Sequence, residues 1–389
     1  MPSSTAPSTR TPLWRTVLTP PAVLQLGLGW AGVLALALLG DALAPPLPGI
    51  VTLLPLLGIV AVILIAAFGV VRQAEALAHR LGDPYGTLVL TLSIVVIEVV
   101  LIAAVMLGPG EHTTIARDSI MAVSMIIMNL VLGACLLVAG IRHGNRPISR
   151  TGASAYLVLL IVLSGQAFAL PGMVGAKGVF TTGQALVIIP LTVAVYAVFL
   201  WRQTGPQAAD FQEVQSSPAA ESTADAERSA PLREVLATHR GELLARTGLL
   251  VATVLPIILL SHDMAALLDD GLERLGAPVA LSGVLIAMIV FTPETITALR
   301  AAWGGEMQRV VNLNHGALVS SLALTIPTVL VIALLTGQQV VFAESAANLL
   351  LLGLTFAVAA VTAAAPRVTA LHGAVHLVLF AVYAMVLFS

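Results

Sequence analysis

Eleven runs of apolar residues, each long enough to cross a bilayer as a helix, fill most of this chain. They lie at about 22–40, 50–71, 85–107, 119–141, 153–170, 180–201, 244–262, 279–300, 311–335, 340–364 and 368–388. Within hydrocarbon every backbone N–H and C=O must be paired inside its own segment, so runs of about 20 apolar residues read as spanning helices. The composition agrees: of 389 residues 58% are apolar and only 10% charged, far from the balance of a soluble domain. The predicted fold class is therefore an all-α polytopic membrane protein whose first partner is the lipid bilayer. Its single cysteine, Cys135, allows no internal disulfide and no cysteine metal site. Nothing in the sequence points to nucleic acid or to a bound cofactor, and oligomeric state is not legible.

Residues 1–20 are polar and rich in Pro and Thr, and are expected to be a disordered cytoplasmic N-terminus. The run that follows resembles a signal peptide, with Ala42-Leu43-Ala44 placed like a cleavage site. Its apolar stretch is too long for a signal core, so 21–45 is expected to be an uncleaved extra helix. Between 202 and 243 lies the one long polar segment, holding Asp210, Glu213, Glu221, Asp225 and Glu227 among Ser, Ala, Gln and Pro. It is expected to be a flexible acidic linker on the cytoplasmic side. If the N-terminus is inside, fifteen basic residues fall on inner segments and three (Arg117, Lys177 and Arg274) on outer ones. This asymmetry predicts an inner-membrane protein with its N-terminus cytoplasmic and its C-terminus outside.

Two acids fall well inside spans, and they set the functional reading. Glu294 sits in Phe291-Thr292-Pro293-Glu294-Thr295-Ile296-Thr297 of span eight, and Glu98 in Ile94-Val95-Val96-Ile97-Glu98 of span three. An ionised side chain at such depth costs several kcal/mol, so it is expected to face a bundle interior that a cation or proton can reach. Pro293 should break or kink its helix, freeing a carbonyl, while Thr292 and Thr295 add hydroxyl oxygens. The plainer alternative is a neutral carboxyl hydrogen-bonded to its own threonines.

The two acids lie five spans apart, an odd number, so their helices cross in opposite directions. The spans that follow match in spacing: Ser124 and Asn129 stand 7 and 12 residues after Arg117, Gly316 and Ser321 7 and 12 after Arg309. The pattern predicts inverted repeats, 46–201 (helices 2–6) against 244–389 (helices 7–11). Inverted repeats place a substrate site near the midplane, here holding both glutamates. Two carboxylates brought together repel, so protons and a cation would compete for them, and the competition is itself an exchange mechanism. A divalent ion suits the pair, with Na⁺ or K⁺ and one retained proton as the alternative.

At these residues the chain resembles the Ca²⁺:cation antiporter superfamily, in its bacterial calcium/proton exchanger branch, some of whose members also export Na⁺ or K⁺. The resemblance is carried by Phe291-Thr292-Pro293-Glu294 with Gly316 through Pro327, and by Glu98 with Ala116-Arg117-Asp118 and Asn129. It implies an antiporter working by alternating access, with Glu98 and Glu294 as the metal and proton ligands and Asn129, Ser320 and Ser321 as polar positions on the following helices. Where the wider family has Gly-Asn shortly before each Glu, this chain has Ile94-Val95 and Val290-Phe291, so the amide ligands of that motif are missing.

His315, beside Gly316, is a candidate proton relay. His372 and His376 stand four apart on the last helix and could ligate metal, though a packing or lumen-facing role fits better with no third ligand nearby. Gly133, Ala134 and Gly140 are expected to serve close helix packing. No H-E-x-x-H, G-x-S-x-G or nucleotide-loop motif supports an enzyme, and a passive channel fits inverted repeats with one acid per half less well than alternating access does.

Overall fold

The computed structural model describes residues 16–43, 49–81, 85–106, 113–212, 232–278 and 280–388. The N-terminal residues 1–15 and most of the polar linker, 213–231, lie outside them. The long helices are α1 (Pro20–Leu43), α2 (Gly49–Leu81), α3 (Tyr85–Met106), α4 (Ile115–His143), α5 (Arg150–Val174), α6 (Thr182–Thr204), α7 (Leu232–Arg274), α8 (Ala280–Gly304), α9 (Met307–Thr336), α10 (Ala346–Ala364) and α11 (Ala370–Leu387). Ten of them, all but α3, meet a length and hydropathy criterion for crossing a membrane, and α3 is 22 residues dominated by Val, Leu and Ile. The all-α polytopic fold follows from the eleven apolar runs.

The helix ends sort onto two faces. On one, Arg80 at the end of α2 pairs with Glu242 of α7 (3.1 Å), Ser149 before α5 donates its N–H to Gln308 of α9 (2.7 Å), and Val368 before α11 donates to the Arg146 carbonyl (2.8 Å). On the other, Val341 between α9 and α10 donates to Thr113 before α4 (2.8 Å), and Glu344 donates to the carbonyl of Phe168 in α5 (3.1 Å). Alternate connections therefore share a side, as an uninterrupted series of crossings requires. Large apolar side chains such as Leu54, Val158, Leu334 and Leu371 are exposed around the outside, the surface lipid would cover.

Packing between the halves is crosswise. Helix α2 lies against its counterpart α7, α3 packs along α9, and α8 packs along α4. Each of these contacts joins a helix before the polar linker to one after it. Helix α4 is the most buried of the scored spans, followed by α9 and α8, whereas α1 and α11 are the least buried. Helix α1 leans on α2 and α7, with the Trp30 indole N–H donating to the Ala252 carbonyl (3.1 Å).

Four expectations are corrected. Helix α7 begins at Leu232 and runs to Arg274, because Leu-Arg-Glu-Val-Leu-Ala at its start and Met-Ala-Ala-Leu-Leu after Ser261 are good helix formers. Residues 232–243 are therefore not flexible linker. The start of the linker is also ordered: Ala208–Phe211 is a 3₁₀ turn, and Phe211 is buried edge-on against Tyr156 and Phe199 at 5.3 and 5.9 Å between ring centroids. The connection between α9 and α10 is longer than expected, since Gly337 in the left-handed conformation ends α9 (φ 72°) and α10 starts only at Ala346, leaving 337–345 outside any helix. Finally, α8 continues through Pro293 without a break, as membrane helices do when packing holds both flanks; Phe291 and Ala298 on either side are buried. The irregularities fall elsewhere, as π-helical turns at Ile126–Val131 in α4 and Gly165–Ala169 in α5.

Candidate ion-binding site

Three of the described acids are buried: Glu98, Glu242 and Glu294. Glu242 has cationic partners, Arg80 at 3.1 Å and Arg246 at 3.0 Å. Glu98 and Glu294 have none. Glu98 Oε1 accepts a hydrogen bond from Ser321 Oγ at 2.6 Å, its Oε2 has no partner, and neither oxygen of Glu294 accepts a bond. The four helices α3, α4, α8 and α9 that carry the expected site residues pack against one another at the centre of the bundle.

Each expected residue can now be placed. Glu98 on α3 and Ser321 on α9 are in contact across the two halves. Ser320 accepts from the Tyr196 hydroxyl of α6 (2.8 Å). Thr292 Oγ1 donates to the Met288 carbonyl (2.7 Å) and Thr295 Oγ1 to that of Phe291 (2.8 Å), both within their own helix. Their protons are engaged, so what these hydroxyls can offer a ligand is oxygen lone pairs. His315 Nδ1 bonds the Val311 carbonyl (3.1 Å) and its ring lies 6.0 Å from that of Tyr156.

Asn129 behaves differently from its counterpart Ser321. Its Nδ2 donates to Thr355 of α10 (2.8 Å) and its Oδ1 meets Nδ1 of His376 on α11 (3.0 Å), so the structure engages its amide with neither glutamate. The cause is local: Asn129 lies within the π turn, which takes an extra residue per turn and shifts side chains from the positions of an unbroken helix. Helix α9 has no such turn around Ser321.

Thr355 and Tyr196 belong to this polar interior and were not singled out, and His376, weighed with His372 as a metal ligand, joins them there instead. Their signal was faint: a lone polar side chain in an apolar run, common enough in packed helices. His372 and His376 separate, because His372 closes a capping box with Thr369 at the start of α11 (2.8 Å) while His376 reaches Asn129. Gly133 and Gly140 of α4 do serve close packing, meeting α11 at Gly373 and Ala370.

Among the described residues no group of three or more His, Cys, Asp or Glu side chains is arranged to hold a metal. A cation at this site would therefore be held by at most two carboxylates, with neutral oxygens completing its shell. The pair can be neutralised by two protons, by one divalent cation, or by one monovalent cation and a proton.

Comparison with known proteins bears on the choice. The sodium/calcium exchanger protein family matches residues 51–205 and 246–389. The sodium-potassium/proton antiporter ChaA of Escherichia coli is 33% identical over 365 residues, covering 92% of this chain and 94% of the relative. The putative ionic transporter y4hA of Sinorhizobium fredii is 35% identical over 321 residues, covering 82% and 84%. Among solved structures, native YfkE aligns with a TM-score of 0.65 at 16% identity over 94% of this chain and 99% of that one. The H⁺/Ca²⁺ exchanger CAX aligns at 0.63 and 16%, over 94% and 89%; these two similarities speak to fold.

Proposed function

The chain belongs to the sodium/calcium exchanger family, and from that premise we propose that this antiporter exports Ca²⁺ in exchange for H⁺, with Glu98 and Glu294 shared between the cation and the protons. The observation that carries the proposal is the contrast among buried acids: Glu242 is matched by two arginines, whereas Glu98 and Glu294 have no basic partner. Leaving two carboxylates ionised there would cost about 2.5–3.5 kcal/mol each on the most lenient membrane scale. Each must therefore be protonated or cation-loaded, and the alternation between those states couples the two fluxes. Thr292, Thr295, Ser320 and Ser321 supply neutral oxygens, the hard ligands Ca²⁺ takes. Asn129 acts one layer away, through Thr355 and His376. Crosswise packing of α3 on α9 and α8 on α4 supports rocking of one set of helices against the other around a midplane site.

A second reading, Na⁺ or K⁺ exchanged for H⁺ with one proton retained, is favoured by two observations. The glutamates are not equivalent, since only Glu98 has a hydrogen-bond donor, so one can keep a proton while the other binds a monovalent ion. ChaA, a sodium-potassium/proton antiporter, also matches nearly the whole chain.

One measurement separates the readings: proton release from everted vesicles on adding Ca²⁺, Na⁺ or K⁺ in turn. Release with Ca²⁺ at the lowest concentration supports the first and release with Na⁺ or K⁺ alone the second, while release with none of them overturns both. Apparent affinity for the active cation falls as pH drops, because protons and cation compete for the same oxygens. The proposed orientation, N-terminus cytoplasmic and C-terminus outside, rests on the basic-residue asymmetry. The native Cys135 is buried, so cysteines introduced at Gln215 and after Phe388 report sidedness without interference. Labelling is expected from the cytoplasmic and outer side respectively; labelling of both from one side overturns the odd number of spans between them, and labelling from the opposite sides reverses the orientation.

A further inference from the structure

A second buried polar cluster lies in the inner half of the bundle, between α4, α5, α9, α10 and α11. His315 and His376 line a cavity of about 10 Å³, room for about one water molecule, together with Leu136 of α4, Ala153 of α5, and Ala359 and Thr362 of α10. The hydrogen bonds fix both ring tautomers. The Val311 carbonyl can only accept, so His315 carries its proton on Nδ1. Asn129 Nδ2 donates to Thr355, so its Oδ1 accepts and His376 too is protonated on Nδ1. Each ring is left with a basic lone pair on Nε2. His376 is fully buried, its Nε2 has no partner, and neither has the buried hydroxyl of Thr362. A buried polar atom without a partner is costly, and here two of them border one cavity with a second imidazole.

We propose that His315 and His376, with one water held between them and Thr362, form a proton stop between the inner surface and the carboxylate site. The water can donate to both Nε2 atoms and accept from the Thr362 hydroxyl, which satisfies all three groups. A proton leaving Glu98 or Glu294 through water is then taken up on an Nε2 lone pair and passed on to inner-side water, with no bond between heavy atoms made or broken. Thr362 stands near the inner end of α10, and His376 touches Asn129 in the middle of α4, so the cluster bridges surface and centre. The remaining cavity residues are apolar. The other titratable groups against the pair are Tyr156 of α5, whose hydroxyl accepts from Gln203, and His372, one turn before His376. His315 and His376 have no counterpart in the first half: the position matching His315 is Val123.

The inference rests on the proton-coupled reading, and its test keeps the two apart. In everted vesicles, cation-driven proton release and isotope exchange of the same cation across the membrane (⁴⁵Ca²⁺, ²²Na⁺ or ⁸⁶Rb⁺) are measured for wild type, His315→Gln and His376→Gln. Self-exchange needs no net proton movement. The glutamine variants are expected to slow proton release about 10-fold or more and to leave self-exchange unchanged. In His376→Ala, added imidazole is expected to restore proton release, which keeps the test open if a glutamine variant folds poorly. Equal loss of both modes without imidazole rescue assigns the pair to packing and overturns the inference, as does undiminished proton release. Absence of proton release from wild type overturns the proton-coupled reading itself.

Discussion

Glu98 and Glu294 occupy matching places in the two halves, on helices that cross in opposite directions, yet their surroundings differ. Glu98 is met by Ser321 from the other half, whereas the residue at the same spacing in the first half, Asn129, is bonded to Thr355 and His376. One π turn accounts for the difference. Two carboxylates with unlike environments can hold unlike partners.

Removing each acid in turn tests whether the halves are equal partners. Glu294→Gln and Glu98→Gln are each expected to lower cation/proton exchange by about two orders of magnitude or more, since a carboxylate ligand and its titration vanish together while size is kept. Insertion in the membrane should be normal. Normal pH-coupled exchange in either variant would end the two-carboxylate account.

A smaller change makes the halves more alike. Ser321→Ala leaves Glu98 as free of hydrogen bonds as Glu294, and a bond to a charged group contributes about 1.5–3 kcal/mol. Apparent cation affinity should therefore weaken by about ten-fold or somewhat more with maximal rate little changed. Unaltered half-saturation would show that the Ser321 contact plays no part in the cation-loaded state.

The smallest effect concerns the arginines that begin the matched helices. Arg117 Nε lies 3.7 Å from the carboxylate of Glu344, whose side chain is 3% exposed, whereas Arg309 pairs with a Glu306 side chain 47% exposed. Burial pushes the Glu344 carboxyl above its ordinary range, against the opposing pull of Asn348, Ser345 and Arg117. A carboxyl raised in the folded state contributes stability below its unfolded pKa that is lost as pH rises through the folded one. Thermal unfolding in detergent should show Glu344→Gln gaining on wild type as pH rises. Parallel pH profiles for wild type and Glu344→Gln would contradict this.

The fold was legible because its evidence is long-range and redundant: eleven apolar runs, alternating basic loops and two intramembrane acids all constrain the same arrangement. Glu98 and Glu294 stood out because a charge in an apolar run has so few alternatives. What escaped depends on a single residue's geometry. The +12 spacing that aligns Asn129 with Ser321 was right as sequence, but the side chain points elsewhere because Ile126–Val131 winds as a π turn, and nothing in Ile-Ile-Met-Asn-Leu-Val announces one. Pro293, expected to break or kink its helix, lies inside one uninterrupted helix. Phe211 shows the reverse, a lone aromatic in a polar segment that folds its neighbours onto the helices at Tyr156 and Asn312.

The glycine seam between α4 and α11 has a mechanical consequence. A Cβ on Gly373 would fall 2.4 Å from the Leu137 backbone nitrogen, and one on Gly140 2.3 Å from that of Ala370, so the two helices touch main chain to main chain. A joint without side chains has no rotamers to absorb sliding, and rigid surfaces this close resist shear. Helices α4 and α11 should therefore travel as a single strut through the transport cycle, carrying the Asn129–His376 bond intact, while the Glu98–Ser321 contact crosses a boundary free to open.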